Sequence, residues 1–289
     1  MLNSRAPRPT TVVSLDAFNT LFVARKPVLN QYFAITSKHG ISTPVTAIQR
    51  KFPTVFKQMR AEFPNYGKHT SGMSNVQWWQ KLIDRLYDPL TLPRTVVDEI
   101  TETFESNKGY TSYDDVELFL KKIDERRTLN ENILLVVLSN GEPRVMKVLE
   151  SLGLLKFVDH VYLSYDIEKF KPHADFYDHV FDDLKSRYPD KEFKREHMWH
   201  AGDEVENDLE GAYKAGWNSV LLDRTEKLAS YMKEIEGVDH EKKLTLIKMV
   251  TDYQSTKKDS TTKPFVEKMT DRKFVTNGLD GLSQLLKIE

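Results

Sequence analysis

Four polar groups in this sequence each follow a short apolar run. Asp16 ends TVVSL, Ser139 and Asn140 end ILLVVL, Lys171 follows HVYL within YDIEKFKP, and Asp203 follows MWHAG within GDEVEND. The set holds a carboxylate able to attack, a hydroxyl, a cation and an acidic cluster of Asp203, Glu204, Asn207 and Asp208. A carboxylate that attacks an anionic electrophile meets like-charge repulsion, so positive charge must be assembled around it first. Each residue also has a plainer use: Ser139 and Asn140 as helix caps, Lys171 as a surface charge, the acids as the negative start of a helix. Four such groups in this order favour chemistry over packing. Lys169 stands close enough to compete with Lys171 for the cationic role.

The elements that must position these groups are legible in the same runs. TVVSL, ILLVVL, HVYL, MWHAG and SVLL at 219–222 are short, rich in β-branched or aromatic residues, and alternate with helical stretches. That alternation predicts buried parallel strands in an α/β, Rossmann-like, doubly wound sheet. Ligands in such sheets sit outside the carboxyl ends of the strands, where loops from separate strands converge. KFVT and GLSQLLKI near the C-terminus are expected to add a last strand and helix.

More than a hundred residues with helical patterning separate the first two runs. Val28, Leu29, Tyr32 and Phe33 fall on one face, as do Trp78, Trp79, Leu82, Ile83 and Leu86, predicting an inserted α-helical lobe. Pro44, Pro53, Pro64 and the pair Pro89 and Pro93 are expected to divide it into several helices. Its spacing makes Trp78 and Trp79 lobe core rather than a ligand platform. Asn65, Tyr66, Lys68 and His69 read as a helix connection, with a substrate-facing loop as the alternative. The expected domains are a core of 1–24 and 112–289, a helical cap of 25–111, and within the core a charged insertion at 225–270.

Taken together, DAFNTLF, LSNGEPRVM, the lysine before Pro172 and GDEVEND resemble the four motifs of the haloacid dehalogenase superfamily. The lobe stretch FPNYGKHTSGMSNVQWW is similar to the cap of haloacid dehalogenase-like hydrolase domain-containing protein 3 and its relatives. The resemblance implies the superfamily's fold with a helical cap of the C1 type. It implies Asp16 as nucleophile, Ser139 and Lys171 as catalytic partners, and Ser139, Asn140 and Phe18 as substrate-binding residues. It further implies Mg²⁺ held by Asp16, the backbone carbonyl of Phe18, Asp203 and Asp208. Magnesium prefers about six oxygens with only one or two carboxylates and several waters, which suits Asp16 plus Asp203 better than a dedicated protein cage.

Phe18 complicates the activity. Superfamily phosphatases carry a carboxyl two residues after the nucleophile, which protonates the leaving oxygen and then activates water; phenylalanine can do neither. Three readings follow: a slow or specialised Mg²⁺-dependent hydrolase of a small phosphorylated substrate, a pseudoenzyme that keeps the pocket for binding, and attack on a carbon bearing a halide. The last suits the aromatic residue at 18 but not the metal-type GDEVEND, and Arg50 and Arg60 lack the context of a carboxylate-binding arginine. His197 and His200 are expected to flank a strand rather than bind metal.

Bulk composition narrows the partners. Lys+Arg 42 against Asp+Glu 43 leaves a formal net charge of −1, so no overall field draws nucleic acid or an anionic membrane. Cys 0 excludes disulfides, thiolate nucleophiles and cysteine zinc sites, and fits a reducing, intracellular address. The cytoplasm is expected, with nucleus or mitochondrion as alternatives; prolines interrupt the Arg- and Ser-bearing start MLNSRAPRPTT. A small-molecule substrate is the expected partner, without nucleic acid or membrane.

Overall fold

A computed structural model describes residues 9–70, 72–129, 132–224 and 266–288 of the 289-residue chain. Leu228, Tyr231, Met232, Ile235, most of the charged insertion and the first eight residues lie outside them. The chain divides into two compact units: one comprises the described residues of Met1–Phe22, Ser112–Asn140 and Lys156–Glu289, the other Val23–Thr111 and Gly141–Leu155.

Along the chain, β1 (Thr11–Leu15) leads through a tight loop into β2 (Phe22–Ala24). Helices α1 (Val28–Lys38), α2 (Val45–Glu62), α3 (Asn75–Tyr87) and α4 (Arg94–Thr103) follow, and β3 (Tyr110–Ser112) returns to pair with β2. Next come α5 (Asp114–Thr128), β4 (Ile133–Ser139), α6 (Arg144–Ser151), β5 (His160–Leu163), α7 (Ser164–Ile167) and α8 (Ala174–Arg187). After β6 (Met198–Gly202) the backbone makes a π-helical turn over Val205–Glu210 and then α9 (Gly211–Lys214). The described chain ends with β7 (Asn218–Leu222), β8 (Val266–Lys268), β9 (Lys273–Thr276) and α10 (Leu279–Leu286).

The main sheet runs β5-β4-β1-β6-β7-β9-β8, parallel throughout except for β8 against β9. β1 lies between β4 and β6, with Val13 opposite Leu135 on one side and Trp199 on the other. Burial on both faces explains the near-continuous apolar character of these strands. Val12, Val136, Leu138, Phe176, Tyr177 and Trp217 share one core cluster against the sheet. Because β1, β4 and β6 are parallel, their last residues meet at one edge. The strand order reverses at β1, where Asp16 emerges.

In the helical unit, Ser74 caps α3: its hydroxyl accepts from Gln77 N while Gln77 Oε1 accepts from Ser74 N. Trp78, Leu82, Ile83 and Leu86 are buried, as the lobe pattern predicts. Pro53 does not break the lobe as expected, since α2 continues through it. The carbonyl of Gln49, which Pro53 deprives of a donor, belongs to an exposed residue where water can serve instead. Among the described residues no helix is long and apolar enough to cross a membrane.

Candidate active site

Asp16 leaves β1 with its backbone N–H bonded to Ala201 O on β6, which ties the two strand ends together. Its side chain is buried, and Lys171 Nζ donates to Asp16 Oδ1 at 2.7 Å. The same ammonium donates to Asp208 Oδ1 at 2.6 Å and to Leu138 O at 2.9 Å, so all three of its donors are spent. Lys169 is the less committed lysine, reaching Asp175 O at 3.4 Å on the surface as its one hydrogen bond among the described residues. Of the two lysines, Lys171 is the one bonded to Asp16 and Asp208.

Lys171 is held by Asn140, whose Nδ2 donates to Lys171 O and whose Oδ1 accepts from Lys171 N, both at 2.8 Å. This reciprocal pairing gives Asn140 a positioning task, whereas the motif resemblance implies contact with substrate. Ser139, buried at the end of β4, sits one residue before it.

Asp208 comes from the π-helical turn and accepts three hydrogen bonds. Its Oδ1 takes Lys171 and His200 Nε2 (3.0 Å), and its Oδ2 accepts from Glu204 N at 2.9 Å. Gly202 makes room for it: a Cβ there would lie 2.2 Å from the Asp208 carboxyl. Asp16, Asp203 and Asp208 each present an oxygen within 4.8 Å of the others, forming a buried or half-buried acidic triad. Asn19, in the left-handed region at φ 57, accepts the turn after β1 and its side chain bonds Asp203.

Burial pushes the Asp16 carboxyl up to about 7, with Asp208 adding to the rise and Lys171 opposing it. Loss of water also drives Asp203 well above the carboxylate range, helped by Asp16, Asp208 and Glu204. Burial acts on Asp208 in the same sense, but Lys171 and His200 outweigh it and hold that group low. Burial disfavours the Lys171 ammonium, yet Asp16 and Asp208 raise its pKa above the usual lysine value. Two of the three carboxylates thus share one fully committed ammonium, and Asp203 has no share in it among the described contacts. The surplus of hard oxygen donors fits a divalent cation such as Mg²⁺, with Asp16 and Asp203 less encumbered than Asp208.

Ser14 escapes the sequence reading, and so does the contact of His200 with Asp208. His200 lies inside β6 rather than at its flank, fully buried, with Nδ1 2.8 Å from Ser14 Oγ. Burial lowers its pKa, and Nε2 lies 3.0 Å from Asp208 Oδ1 while the Ser14 hydroxyl beside Nδ1 donates to Trp199 O at 2.8 Å. The available signal was a polar Ser14 and His200 inside two apolar strands. Phe18 is half-buried with its ring edge-on to Phe22 at 4.8 Å, a packing contact that carries no proton.

Residues 10–216 match the family model described as haloacid dehalogenase-like hydrolase. The chain is 34% identical to the uncharacterized protein YMR130W of Saccharomyces cerevisiae over 97% of this chain and 94% of that protein. It is 24% identical to mouse haloacid dehalogenase-like hydrolase domain-containing protein 3 over 79% of this chain and 88% of that one. Among solved structures, the magnesium-bound HAD-hydrolase YfnB from Bacillus subtilis superposes with a TM-score of 0.52 at 16% identity, covering 76% of this chain and 92% of its own. Motif order, fold and family match agree, and the chain belongs to the haloacid dehalogenase-like hydrolases.

Proposed function

We propose that this chain is a Mg²⁺-dependent hydrolase in which Asp16 attacks the phosphoryl group of a small phosphorylated substrate. The observation that carries this reading is the acidic triad of Asp16, Asp203 and Asp208, with Lys171 Nζ bonded to Asp16 and Asp208. Asp16, Asp203 and the Phe18 carbonyl are the proposed ligands, with Asp208 nearby as the anchor of Lys171. A bound Mg²⁺ would neutralise charge on the transferring group and keep Asp16 ionised. Lys171 orients the Asp16 oxygen, and Ser139 is assigned to hydrogen-bond the transferring group. An Asp16 oxygen forms a bond to phosphorus as the substrate oxygen departs, and water then cleaves the aspartyl-phosphate to return Asp16 and phosphate. The inserted helical unit is assigned to substrate selection.

Phe18 supplies no proton to the departing oxygen. General acid-base assistance is worth roughly 10²- to 10⁴-fold, so turnover is slow except with leaving groups that depart unprotonated. The missing proton carrier also supports a second reading, a pocket retained for binding alone. An activated aryl phosphate assayed with and without Mg²⁺ separates the two. Under the first reading, Asp16→Asn abolishes turnover and Phe18→Asp raises it; absence of turnover in both wild type and Phe18→Asp, with Mg²⁺ still bound, selects the second. Chloride release from a 2-chloro acid in chelator would instead identify attack on carbon.

A further inference from the structure

The helical unit contains a polar cluster that the reaction above does not use. Glu142 is 2% exposed and fully engaged: Oε2 accepts from Asn75 Nδ2 at 2.6 Å and from Arg144 N at 2.9 Å, and Oε1 accepts from Trp79 Nε1 at 3.1 Å. These contacts lock the carboxylate in place. Arg144 lies flat over Trp79, its Cζ 4.1 Å from the ring centroid. Glu142 Oε1 comes within 3.2 Å of Arg144 Nε but out of hydrogen-bond line, so Nε is buried without an acceptor.

An unmet buried donor on a guanidinium costs free energy, most of all on a charged group. It is tolerated where a ligand oxygen completes it. Tyr32, Tyr66 and Tyr110 lie close enough to Arg144 for its charge to favour their ionised forms against the dominant, opposing effect of burial. Tyr66 is held at φ 54 directly after Asn65 at φ 48, a left-handed pair that non-glycine residues adopt at a cost. Trp78 is fully buried, and Trp79 packs half-buried against Phe56, Tyr66 and Trp78 while also lying under the Arg144 cation.

We propose that Arg144, stacked on Trp79 and steered by Glu142 among Tyr32, Tyr66 and Tyr110, is an oxyanion-recognition site for a small organic ligand bearing a carboxylate or phosphate. The planar guanidinium presents paired donors that match either group. The aromatic side chains suit an apolar body attached to that anion. This site stands apart from the reading of Asp16 as nucleophile.

The test uses full-length Asp16→Asn protein in chelator, so that attack chemistry and divalent metal play no part. Benzoate, phenylphosphonate and neutral benzamide are titrated by calorimetry, with tryptophan fluorescence followed in parallel. Saturable binding of benzoate or phenylphosphonate, with benzamide silent, is expected, and the better anion identifies the ligand class. Arg144→Lys keeps the charge but loses the paired donors, and weakens binding by about tenfold, equivalent to one paired hydrogen bond. Tyr66→Phe, with circular dichroism as the folding control, gives a smaller loss. Equal affinity in Arg144→Lys and its parent, benzamide binding as well as benzoate, or no saturable binding of either anion would overturn the proposal. Failure here leaves the aryl phosphate assay unaffected, and the converse holds.

Discussion

Lys171 Nζ donates to Asp16 Oδ1 at 2.7 Å across a sequence separation of 155 residues, and the same ammonium bonds Asp208 at 2.6 Å. Removing it strands two buried acids. Lys171→Met should destabilise the fold by about 3–5 kcal/mol, the cost of breaking a buried ion pair from one side. Urea unfolding of Lys171→Met, Asp208→Asn and the double variant measures it. A double variant that recovers none of the loss would show the two groups to be energetically independent.

Magnesium should raise the melting temperature of the wild type, because a ligand that binds only the folded state stabilises it by about 2.7 kcal/mol at a hundred times its dissociation constant. Asp203→Asn relieves crowding with Asp16 and Asp208, so it should melt at or above the wild type in chelator and lose the magnesium increment. An unchanged increment in that variant removes Asp203 from the ligand set.

Gly202 is required by volume, not by backbone conformation. A Cβ there would meet Asp208 Cγ and Oδ2 at 2.2 Å while Oδ2 is tied to Glu204 N. Gly202→Ala should cost about 1–3 kcal/mol through overpacking and displace Asp208 from Lys171. Thermal unfolding, together with the Lys171 ammonium signals in NMR spectra, reports both effects.

His160 supplies a pH signature away from the acidic triad. Burial, with Arg187 adding to it, lowers its folded pKa below the ordinary 6.5, while Asp159 and Asp183 oppose the shift. The unfolded chain therefore binds the proton more readily. Its contribution is fully present above pH 6.5 and is lost as pH falls below that value toward the folded pKa. His160→Gln should flatten that part of the stability profile; an unchanged slope assigns it to other groups.

Much of the core could be read from particular stretches. TVVSL, ILLVVL, HVYL, MWHAG and KFVT become β1, β4, β5, β6 and β9 because a strand buried on both faces must be apolar along its length. Asp16 and Asp203 stood out because a charged residue directly after such a run emerges at a strand end. Pro53 misled, since a proline tells where a donor is missing but not whether water can reach the abandoned carbonyl.

The order and residue types along the chain determined the sheet, the inserted helices and the edge at which acids, hydroxyl and lysine emerge, because those depend on local hydrophobic period and strand direction. Tertiary structure alone decided that Lys171 bonds Asp16 and Asp208 together, that Asn140 clasps its backbone, and that Ser14 and His200 brace Asp208. It likewise decided that Glu142 approaches Arg144 without satisfying Nε. These outcomes depend on ångström-scale distance and direction between groups remote in sequence, and such quantities exist only once the chain has closed on itself.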